Sequence, residues 1–536
     1  MKKKYQEILR VCTSHEMREI DRIAETQFGI DPFLLMENAG RAASQALLES
    51  YPTAGAETEV LIFAGKGNNA GDAFVVARRL IGLGRRVRVF CIEPSTHYPE
   101  AVQKNFDILK RLGARILLLD EIKTLHSFLA QSQGPFTVVD GLLGTGIKGN
   151  LAGIYHDAVE MINSMNAREV ISLDIPTGVS GDTGAILGTA IQATLTVSFG
   201  CPKLGHFLPP GAAKRGSLIN VDISLPHVTR AEGDKFLLLK QPMSALLEER
   251  DRYGHKNSFG HTLLIGGSPG RVGAIAMSAN ACHRVGTGLV TVSSWKDSID
   301  LLMAKIPNET MAFPIALEGK EIEGYSQNQG TYSSVVIGPG LGLRPEGKQL
   351  LEEVLARYQG PLVIDADALN MISDHDLFDL LATRRSPTVL TPHPGEMARL
   401  LKISKEEVMD DVLGCLKKAV EKTNSIVLLK GAATLISSPE HKVYLNHYPN
   451  DGMATAGSGD VLAGMIGGLL GQKMDPFQAT LLGVYLHSVA GGLASDRLGH
   501  RSMTAPDIIE NIPFAFKEIK NYEAPSVPIE GRAHLL

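Results

Sequence analysis

Residues 450–464 read Asn450-Asp-Gly-Met-Ala-Thr-Ala-Gly-Ser-Gly-Asp-Val-Leu-Ala-Gly464 and place a glycine-rich turn directly before an apolar segment. Apolar residues then recur at intervals of three and four, which predicts one buried stripe of a helix: Val461, Leu462, Met465, Ile466, Leu469 and Leu470. Unpaired backbone N–H groups and the dipole at such a helix N-terminus attract a phosphate. Beside this anion site, Asp460 is either a base toward a substrate hydroxyl or a helix cap.

The composition narrows the class of protein. A chain of 536 residues is too long for one hydrophobic core, so two or three domains are expected. Its 53 Lys and Arg residues are scattered and its net charge is −5, which argues against a nucleic-acid or membrane-binding surface. There is no signal-peptide core and no apolar run of about 18 residues, so we expect a cytoplasmic protein. The 5 widely spaced cysteines favour reduced thiols over disulfides or a zinc site.

The first half of the chain alternates between strand-like and helix-like segments. Helical segments are predicted at 12–50, 73–83, 100–112 and 121–132, and strands at 60–64, 87–92, 136–139, 170–174 and 195–199. This alternation predicts an α/β fold, in which helices wrap a parallel sheet and ligands bind at the carboxyl ends of the strands.

Three glycine-rich loops follow strands in this half: Gly65-Lys-Gly-Asn-Asn-Ala-Gly-Asp72, Asp140-Gly-Leu-Leu-Gly-Thr-Gly-Ile-Lys-Gly-Asn150 and Asp174-Ile-Pro-Thr-Gly-Val-Ser-Gly-Asp-Thr-Gly184. The first also fits the loose dinucleotide fingerprint Gly-x-Gly-x-x-Gly/Ala. Asn69, Asp140 and Thr177 offer oxygen ligands to a hard cation. Each Asp or Gly is alternatively a turn former, but three such loops on one sheet favour a binding site.

These loops, with Phe199-Gly-Cys-Pro-Lys-Leu-Gly205 and Leu208-Pro-Pro-Gly211, resemble the epimerase half of the bifunctional NAD(P)H-hydrate repair enzymes over roughly residues 10–225. The resemblance implies that K⁺ is held by Asn69, Asp140 and Thr177. It also implies a set of residues that contact the hydrated nucleotide: Asn68, Asn69, Ala70, Gly71, Asp72, Gly144, Thr145, Gly146, Ile147, Lys148, Gly149, Asn150, Tyr155 and Asp174.

Two positions depart from that family pattern, which usually has glycine where this chain has Ala70 and Ala73. Each added methyl group is expected to narrow the approach of the backbone to the nucleotide. The resemblance also implies a catalytic role for Asp174 at the hydroxylated nicotinamide carbon. Its carboxylate acts there either as a base or by stabilising developing positive charge, and the sequence leaves both roles open.

The strand–helix rhythm lapses between about residues 226 and 240, which predicts a domain boundary there. We therefore expect one domain at residues 1–228, which the resemblance makes the epimerase domain, and a second domain at residues 236–522. Beyond the boundary no Gly-x-x-x-x-Gly-Lys-Ser/Thr run occurs, so the second half is not a P-loop NTPase. His393 stands at a predicted helix start, where it either lines the site or is a satisfied loop histidine.

The second half resembles the ribokinase-like dehydratase domain of the same enzymes over about residues 240–515. The motifs that carry the resemblance occur in order: Gly338-Pro-Gly-Leu-Gly342, Asp365-Ala-Asp-Ala-Leu-Asn370, Thr391-Pro-His-Pro-Gly-Glu396, Leu429-Lys-Gly-Ala-Ala-Thr434 and Thr455-Ala-Gly-Ser-Gly-Asp460. The resemblance implies that Ala274, Gly340, His393 and Asp460 contact the hydrated nicotinamide nucleotide. The residues implied to bind ADP or AMP are Lys430, Gly431, Ala432, Ala433, Thr434 and Gly459.

The implied architecture is α/β with two domains, an N-terminal Rossmann-like and a C-terminal ribokinase-like three-layer sandwich. In the implied reaction, ADP phosphorylates the substrate hydroxyl, Asp460 takes the hydroxyl proton, and Mg²⁺ and the Gly457–Gly459 turn steady the phosphoryl group. The products are AMP, phosphate and NADH or NADPH. The resemblance further implies a homo-oligomer, a tetramer or higher.

Three other functions stay open from the sequence. The nearest is a ribokinase-like kinase of a small vitamin precursor with an accessory nucleotide-binding domain, which would release no NADH. A non-catalytic nucleotide-binding or scaffold protein is the second, and an NAD-linked oxidoreductase built on the Gly65 loop is the third. Asp174 and Asp460 at glycine-rich strand ends argue against a scaffold.

Overall fold

The computed structural model describes residues 9–92, 98–119, 122–131, 134–147, 149–318, 321–323, 332–440, 442–521 and 532–535. The chain divides into two compact units, and the division falls between Gly233 and Asp234. Within the described residues, every helix is too short or too polar to span a lipid bilayer.

In the unit that contains residues 10–233, a sheet forms the middle layer. Its strands lie in this order across the sheet: Arg532–Leu535, Ser217–Val221, Leu195–Phe199, Ala167–Leu173, Phe136–Gly141, Glu59–Ala64, Val87–Ile92 and Arg115–Leu119. Neighbouring strands are parallel, apart from the antiparallel pair of Arg532–Leu535 with Ser217–Val221. The central strands are apolar and buried along nearly their whole length, as expected when helices cover both faces.

Helices cover this sheet on both faces: Ser14–Phe28, Pro32–Ser50, Asn68–Gly82, Glu100–Arg111, Ile122–Gln131, Gly153–Ser164 and His227–Ala231, with 3₁₀ turns at Leu204–His206 and Gly211–Ala213. Successive strand residues point to opposite faces. Val60 and Ile62 accordingly belong to one hydrophobic cluster, whereas Leu61 and Phe63 belong to another. The unit is therefore the three-layer α/β sandwich that the alternating sequence predicts.

The helix at Asn68–Gly82 begins five residues before the predicted residue 73, because the glycines of the Gly65 loop were interpreted as a turn. Gly67 has an extended backbone and precedes the first helical residue. Gly71 lies inside the helix, where a Cβ would be 2.4 Å from Met36 Sδ. This glycine therefore allows close helix packing. The strands Arg115–Leu119 and Ser217–Val221 were also not predicted.

The unit that follows Asp234 also has a sheet as its middle layer, with strands in the order Lys235–Leu237, Val443–His447, Ala433–Ser437, Ile426–Leu429, Thr388–Leu390, Leu362–Ile364, Ser334–Ile337, His261–Ile265, Leu289–Trp295, Met311–Glu318 and Glu321–Glu323. The run from Ile426–Leu429 to Met311–Glu318 is parallel. Antiparallel hairpins join Ile426–Leu429, Ala433–Ser437 and Val443–His447 at one side.

The helices of this unit are Lys240–Ala245, Val272–Arg284, Ile299–Met303, Pro345–Arg357, Asp367–Asp374, Phe378–Ala382, Pro394–Leu401, Lys405–Asp410, Val412–Thr423, Ser458–Gly471, Pro476–Leu498 and Ala505–Lys520, with 3₁₀ turns at Lys256–Phe259 and Asp451–Met453. A two-residue strand, Leu9–Arg10, lies near the start of the chain.

The helix Ser458–Gly471 is buried all round from Val461 onward, rather than along the single predicted stripe. Its glycines explain the difference, because they remove side chains on the remaining faces. A Cβ on Gly464 would lie 2.2 Å from Ser278 O, and one on Gly467 would lie 2.2 Å from Val336 Cγ2. The helix thus packs tightly between a neighbouring helix and the sheet.

Two candidate active sites

Asp140 and Thr177, two of the three predicted potassium ligands, are in direct contact. Asp140 is the last residue but one of the strand Phe136–Gly141, and none of its surface is exposed. Its carboxylate accepts hydrogen bonds from Thr177 N at 2.9 Å, Thr177 Oγ1 at 2.7 Å and Ser172 Oγ at 2.8 Å. Burial raises the pKa of Asp140, and these hydrogen bonds oppose the rise.

Asn69, the third predicted ligand, is buried at the start of the helix Asn68–Gly82. Neither its side-chain oxygen nor its nitrogen has a hydrogen-bond partner among the described residues. A Cβ placed on Gly144 would lie 3.6 Å from Asn69 Cβ and 3.8 Å from Asp174 Oδ2. The predicted residues Asn69, Gly144 and Asp174 therefore line one space. The Asn69 amide at this space has no hydrogen-bond partner among the described residues, which is unusual for a buried polar group.

Asp174 lies just after the strand Ala167–Leu173 instead of ending it, in the left-handed region with φ of 62°. A residue other than glycine rarely adopts this conformation, which is found repeatedly at functional sites. Its backbone N donates to Val197 O at 2.8 Å, and its carbonyl accepts from His206 Nε2 at 2.9 Å. Its carboxylate forms an ion pair with Lys203 Nζ.

Lys203 and His206 were not predicted as site residues, although Lys203 belongs to the motif 199–205 that carries the resemblance. Both side chains are fully buried. Burial lowers the pKa of His206 well below its usual value, so the imidazole is neutral. The sequence signal was a lysine followed closely by a histidine after an apolar strand, but nothing in the sequence pairs them with residue 174.

Two further carboxyl groups lie near the Asp174–Lys203 pair. Burial raises the pKa of Asp21 to about 6 and raises that of Asp72 well above its usual value. The charge of Asp174 adds to both shifts, and the charge of Lys203 opposes them. Asp72 was predicted as a substrate contact, whereas Asp21 on the helix Ser14–Phe28 was not. This site therefore combines one buried ammonium with several carboxyl groups.

The departures at Ala70 and Ala73 lie in the core of the unit. Both residues are completely buried, and a Cβ on Gly141 would lie 2.5 Å from Ala73 Cβ. The methyl group of Ala73 therefore fills space between the helix and the sheet. That the methyl groups narrow the approach to a nucleotide stays a prediction.

The other predicted nucleotide contacts are distributed around the same loops. Asn68 is the first residue of the helix Asn68–Gly82. A Cβ placed on Gly181 would lie 3.4 Å from Thr145 Cγ2, and a Cβ placed on Gly188 would lie 3.5 Å from Asn150 Cβ. Tyr155 is buried, and its hydroxyl would lie 3.3 Å from a Cβ on Gly65. Gly146, Ile147 and Gly149 continue the loop after Asp140, and Lys148 lies outside the described residues.

In the second unit, Lys430 lies immediately after a strand end and joins several predicted residues. Its Nζ atom is 2.9 Å from Asp365 Oδ1 and 4.0 Å from Glu396 Oε2. A Cβ placed on Gly459 would lie 3.2 Å from the same Nζ. Burial lowers the pKa of Lys430, but Asp365 and Glu396 together raise it above the usual value. The lysine is thus a fixed positive charge beside the helix Ser458–Gly471.

Asp460 is the third residue of that helix, in its first turn. Gly457 precedes the helix with a φ of 95°, a conformation that favours glycine. Burial raises the pKa of Asp460 to about 7, Asp365, Asp367 and Glu396 add to the rise, and Lys430 opposes it. A carboxyl group with a pKa near neutrality suits general base catalysis at neutral pH.

His393 has hydrogen-bond partners at a helix start, which is one of the two roles considered from the sequence, and the other, as a residue that lines the site, stays a prediction. It is the N-cap of the helix Pro394–Leu401, because its Nδ1 accepts from Gly395 N at 3.0 Å. Its Nε2 lies 3.4 Å from Glu396 Oε1, and its side chain is 52% exposed. Burial lowers the pKa of His393, and the nearby charge of Lys430 adds to that effect. The histidine therefore caps a helix and still presents a surface beside Lys430.

Ala274 and Gly340 are adjacent, since a Cβ on Gly340 would lie 3.1 Å from Ala274 Cβ. Arg271 was not predicted as a site residue, and its Nη1 atom lies 3.6 Å from Asp367 Oδ2. Gly431 and Ala432 form an exposed turn after Lys430, and Ala433 and Thr434 begin the next buried strand: Ala433–Ser437.

The fold and these two sets of residues define a class: a chain of two α/β units, each with a carboxylate and a lysine placed at strand ends, as in enzymes that act on nucleotides. Residues 33–205 match a family model described as "YjeF-related protein N-terminus", and residues 262–514 match one described as "NAD(P)H-hydrate dehydratase".

Proteins named bifunctional NAD(P)H-hydrate repair enzyme are similar along nearly the whole chain. The one from Moorella thermoacetica is 38% identical over 95% of this chain and 97% of its own, and that from Coxiella burnetii is 35% identical over 93% and 98%. A solved ADP/ATP-dependent NAD(P)H-hydrate dehydratase from Bacillus subtilis is 28% identical, with a TM-score of 0.46 over 52% of this chain and 97% of that chain.

The chain therefore belongs to the family of bifunctional NAD(P)H-hydrate repair enzymes. This result confirms the resemblance inferred from the motifs of both halves. It fits the repair enzyme and not the alternative, a kinase of a small vitamin precursor.

Proposed function

We propose that this chain repairs hydrated NADH and NADPH at two sites. Residues 1–228 would form the epimerase, which interconverts the R and S hydrates. Residues 236–522 would form the ADP-dependent dehydratase, which returns the S hydrate to NADH or NADPH. The observation that carries the proposal is the contact of Lys430 with Asp365 and Gly459 beside Asp460, at the first turn of a buried helix.

The hydroxyl group of the hydrated substrate must be lost during dehydration, but hydroxide is a poor leaving group. Asp460 takes the hydroxyl proton while the hydroxyl oxygen attacks the terminal phosphorus of ADP and AMP leaves. Lys430 and the N–H groups of the first helical turn, which includes Gly459, stabilise the negative charge of the transferred group. The ring nitrogen then expels phosphate, and loss of a proton from the neighbouring ring carbon restores the dihydronicotinamide.

The remaining predicted contacts would hold the two reactants around these groups. Ala274, Gly340 and His393 would contact the hydrated nicotinamide nucleotide, and Gly431, Ala432, Ala433 and Thr434 would contact the adenine nucleotide with Lys430. The close approach of Gly340 to Ala274 supports this assignment, because it places the two residues side by side, and Gly342 N in the same loop donates to Asp367 Oδ2 at 2.8 Å.

Mg²⁺ would neutralise charge on the phosphates of ADP in this site. Among the residues that the structure describes, no group of three or more His, Cys, Asp and Glu side chains is arranged to hold a metal ion. Mg²⁺ commonly binds through substrate phosphates and one or two carboxylates, with several waters retained. Asp367, whose side chain is 15% exposed and whose charge acts on Asp460, can supply such a carboxylate, so the residues fit the ion.

In the epimerase site, Asp174 would act at the hydroxylated carbon, as a base or as a stabiliser of developing positive charge. K⁺ would be held by Asn69, Asp140 and Thr177. The unpartnered amide of Asn69 supports this assignment, since a buried carbonyl oxygen without a donor suits a cation. The hydrate would lie along the loops at 68–72 and 144–150 and near Tyr155.

We also propose from the family resemblance that the chain is cytoplasmic and forms a homo-oligomer, a tetramer or higher. Light scattering of the purified chain tests the assembly state, and a monomer at micromolar concentration would contradict it.

The decisive experiment supplies a mixture of both hydrate epimers to the purified chain and follows the absorbance of reduced nicotinamide with and without ADP. We expect full conversion only with ADP. Asp460→Asn should abolish conversion because no base remains, whereas Asp174→Asn should stop at about the S fraction of the mixture after correction for spontaneous epimerisation. Asp410→Asn is a matched control, because Asp410 is exposed at the end of the helix Lys405–Asp410 and is not among the predicted site residues.

A further inference from the structure

We propose that Lys203 and His206 are positioning residues of the epimerase site, which fix the Asp174 carboxylate in place and balance its charge. This inference rests on the proposed epimerase function of the first unit. Neither residue is predicted to touch the substrate, because both side chains are buried beneath Asp174.

The first observation is the contact of Lys203 with the Asp174 side chain. The Nζ atom forms an ion pair with Asp174 Oδ1, and it also donates to Phe199 O at 3.1 Å. Ser198 Oγ lies 3.5 Å from the same atom. Only 1% of the lysine side chain is exposed, compared with 16% for Asp174. The lysine therefore acts through Asp174, whose other oxygen faces the space beside Gly144.

The second observation is the contact of His206 with the Asp174 main chain. Lys203 N donates to His206 Nδ1 at 3.0 Å, so the proton of the neutral imidazole is on Nε2. Nε2 then donates to Asp174 O at 2.9 Å. Arg215 Nε in turn donates to His206 O at 2.8 Å. The histidine thus holds the backbone of Asp174 while Lys203 holds its side chain.

The loop that carries both residues is itself clamped against the loop that follows Asp174. Gly205 N donates to Gly181 O at 2.8 Å, and a Cβ on Gly205 would lie 2.0 Å from Ser180 O. Only glycine permits this approach without a displacement of one loop. The contact explains how Asp174 keeps a left-handed backbone, which needs support from its surroundings.

The charges around Asp174 show why a buried cation is needed. The titratable and charged groups that face it are Asp21 from the helix Ser14–Phe28, Asp72 from the helix Asn68–Gly82, and Lys203; His206 is neutral. Without Lys203, Asp174 would be grouped with two carboxyl groups and no cation. A buried carboxyl group in such surroundings favours its protonated form, which can neither accept a proton nor stabilise positive charge.

The test measures kcat and KM for the purified R hydrate with full-length variants. An excess of the Asp174→Asn chain and ADP converts each S hydrate formed into reduced nicotinamide, and its own background is subtracted. We expect Lys203→Met to lower kcat about 100-fold with KM within about twofold, and to move the acid limb of the pH–rate profile to higher pH. Lys203→Arg keeps the charge and should restore part of kcat and the position of that limb.

His206 variants provide a second, independent comparison. His206→Ala removes a neutral group, so we expect a lower kcat with an unmoved acid limb. His206→Gln keeps a donor for Asp174 O and should retain more activity than His206→Ala. Dehydration of purified S hydrate by each variant should match the wild-type rate, which verifies the amount of folded second unit.

Three outcomes would overturn the inference. The first is Lys203→Met with the wild-type kcat and acid limb. The second is a parallel loss of binding and kcat that Lys203→Arg does not rescue, which indicates a merely structural role. The third is an effect of His206→Ala on the acid limb equal to that of Lys203→Met. A wild-type chain that does not convert R hydrate would instead contradict the proposed function itself.

Discussion

Replacement of Asp460 by asparagine should make the second unit more resistant to unfolding while it abolishes dehydration. The reason is the pKa of Asp460, which burial raises from 3.8 to about 7, with further contributions from Asp365, Asp367 and Glu396. The folded state retains the proton across this interval, whereas the unfolded state has released it. The free energy of unfolding of the wild-type chain therefore falls as pH rises from about 4 to about 7 and stays low above that.

The magnitude follows from the width of the interval. A difference of about three pKa units, at about 1.36 kcal/mol each, gives an upper value of about 4 kcal/mol. The opposing charge of Lys430 is already included in the pKa of about 7. We therefore expect Asp460→Asn to gain about 2–4 kcal/mol above neutral pH, which corresponds to about 4–10 °C in Tm for a unit of this size. Below about pH 4 the variant and the wild type should be equally stable, because Asp460 is then protonated in both states.

Calorimetry of the wild type and the variant between about pH 4 and pH 8 measures this difference. The chain has two units, so the relevant transition is the one that ADP shifts to higher temperature. Asp410→Asn controls for the loss of a carboxylate at an exposed position. It should change the free energy of unfolding by no more than about 0.5 kcal/mol. If the Tm of Asp460→Asn at about pH 8 is equal to or lower than that of the wild type, the ionised Asp460 carboxylate does not destabilise the folded state, and the reasoning is refuted.

Three further predictions test the two sites. The kcat for dehydration at saturating ADP should rise about tenfold per pH unit below about 7 and level off above it, because Asp460 must be ionised to act as base; a flat profile in initial-rate measurements would contradict this. Gly459→Ala adds a methyl group 3.2 Å from Lys430 Nζ and should raise KM for ADP about tenfold, with R-hydrate epimerisation as the unaffected control. Thr177→Val removes the hydroxyl group 2.7 Å from Asp140 Oδ1 and should lower the free energy of unfolding by about 1–3 kcal/mol. It should also weaken the dependence of the epimerisation rate on K⁺. An unchanged K⁺ dependence and an unchanged Tm would count against the proposed K⁺ site.

Much of the fold could be predicted because the decisive signals are local. Short apolar segments that alternate with helical periodicity predict a parallel sheet between helices, whatever their partners in space. The order of glycine-rich loops after these strands then predicts where ligands bind, because strand ends of a parallel sheet meet at one edge. The positions of Asp460, Lys430 and Gly459 beside one another follow from this rule.

Other features could not be predicted because they depend on close contacts between distant segments. The glycines at 67 and 71 resemble a turn, yet Gly71 lies within a helix, where the absence of a side chain allows Met36 to pack closely. Likewise, nothing in the sequence shows that the methyl group of Ala73 faces Gly141 in the core.

Periodicity, glycine positions and motif order can be found along the chain alone, and they were enough to predict the two-unit α/β organisation, the family, the loop of Asp174 and the glycine-rich turn before Asp460. Which charged groups are neighbours, in contrast, became known from the folded chain. It paired Asp174 with Lys203, turned His206 toward the Asp174 carbonyl, and surrounded Asp460 with Asp365, Asp367 and Glu396. The physical reason is that burial and Coulomb interactions depend on separation in space, and the sheet brings together residues that are far apart in the chain.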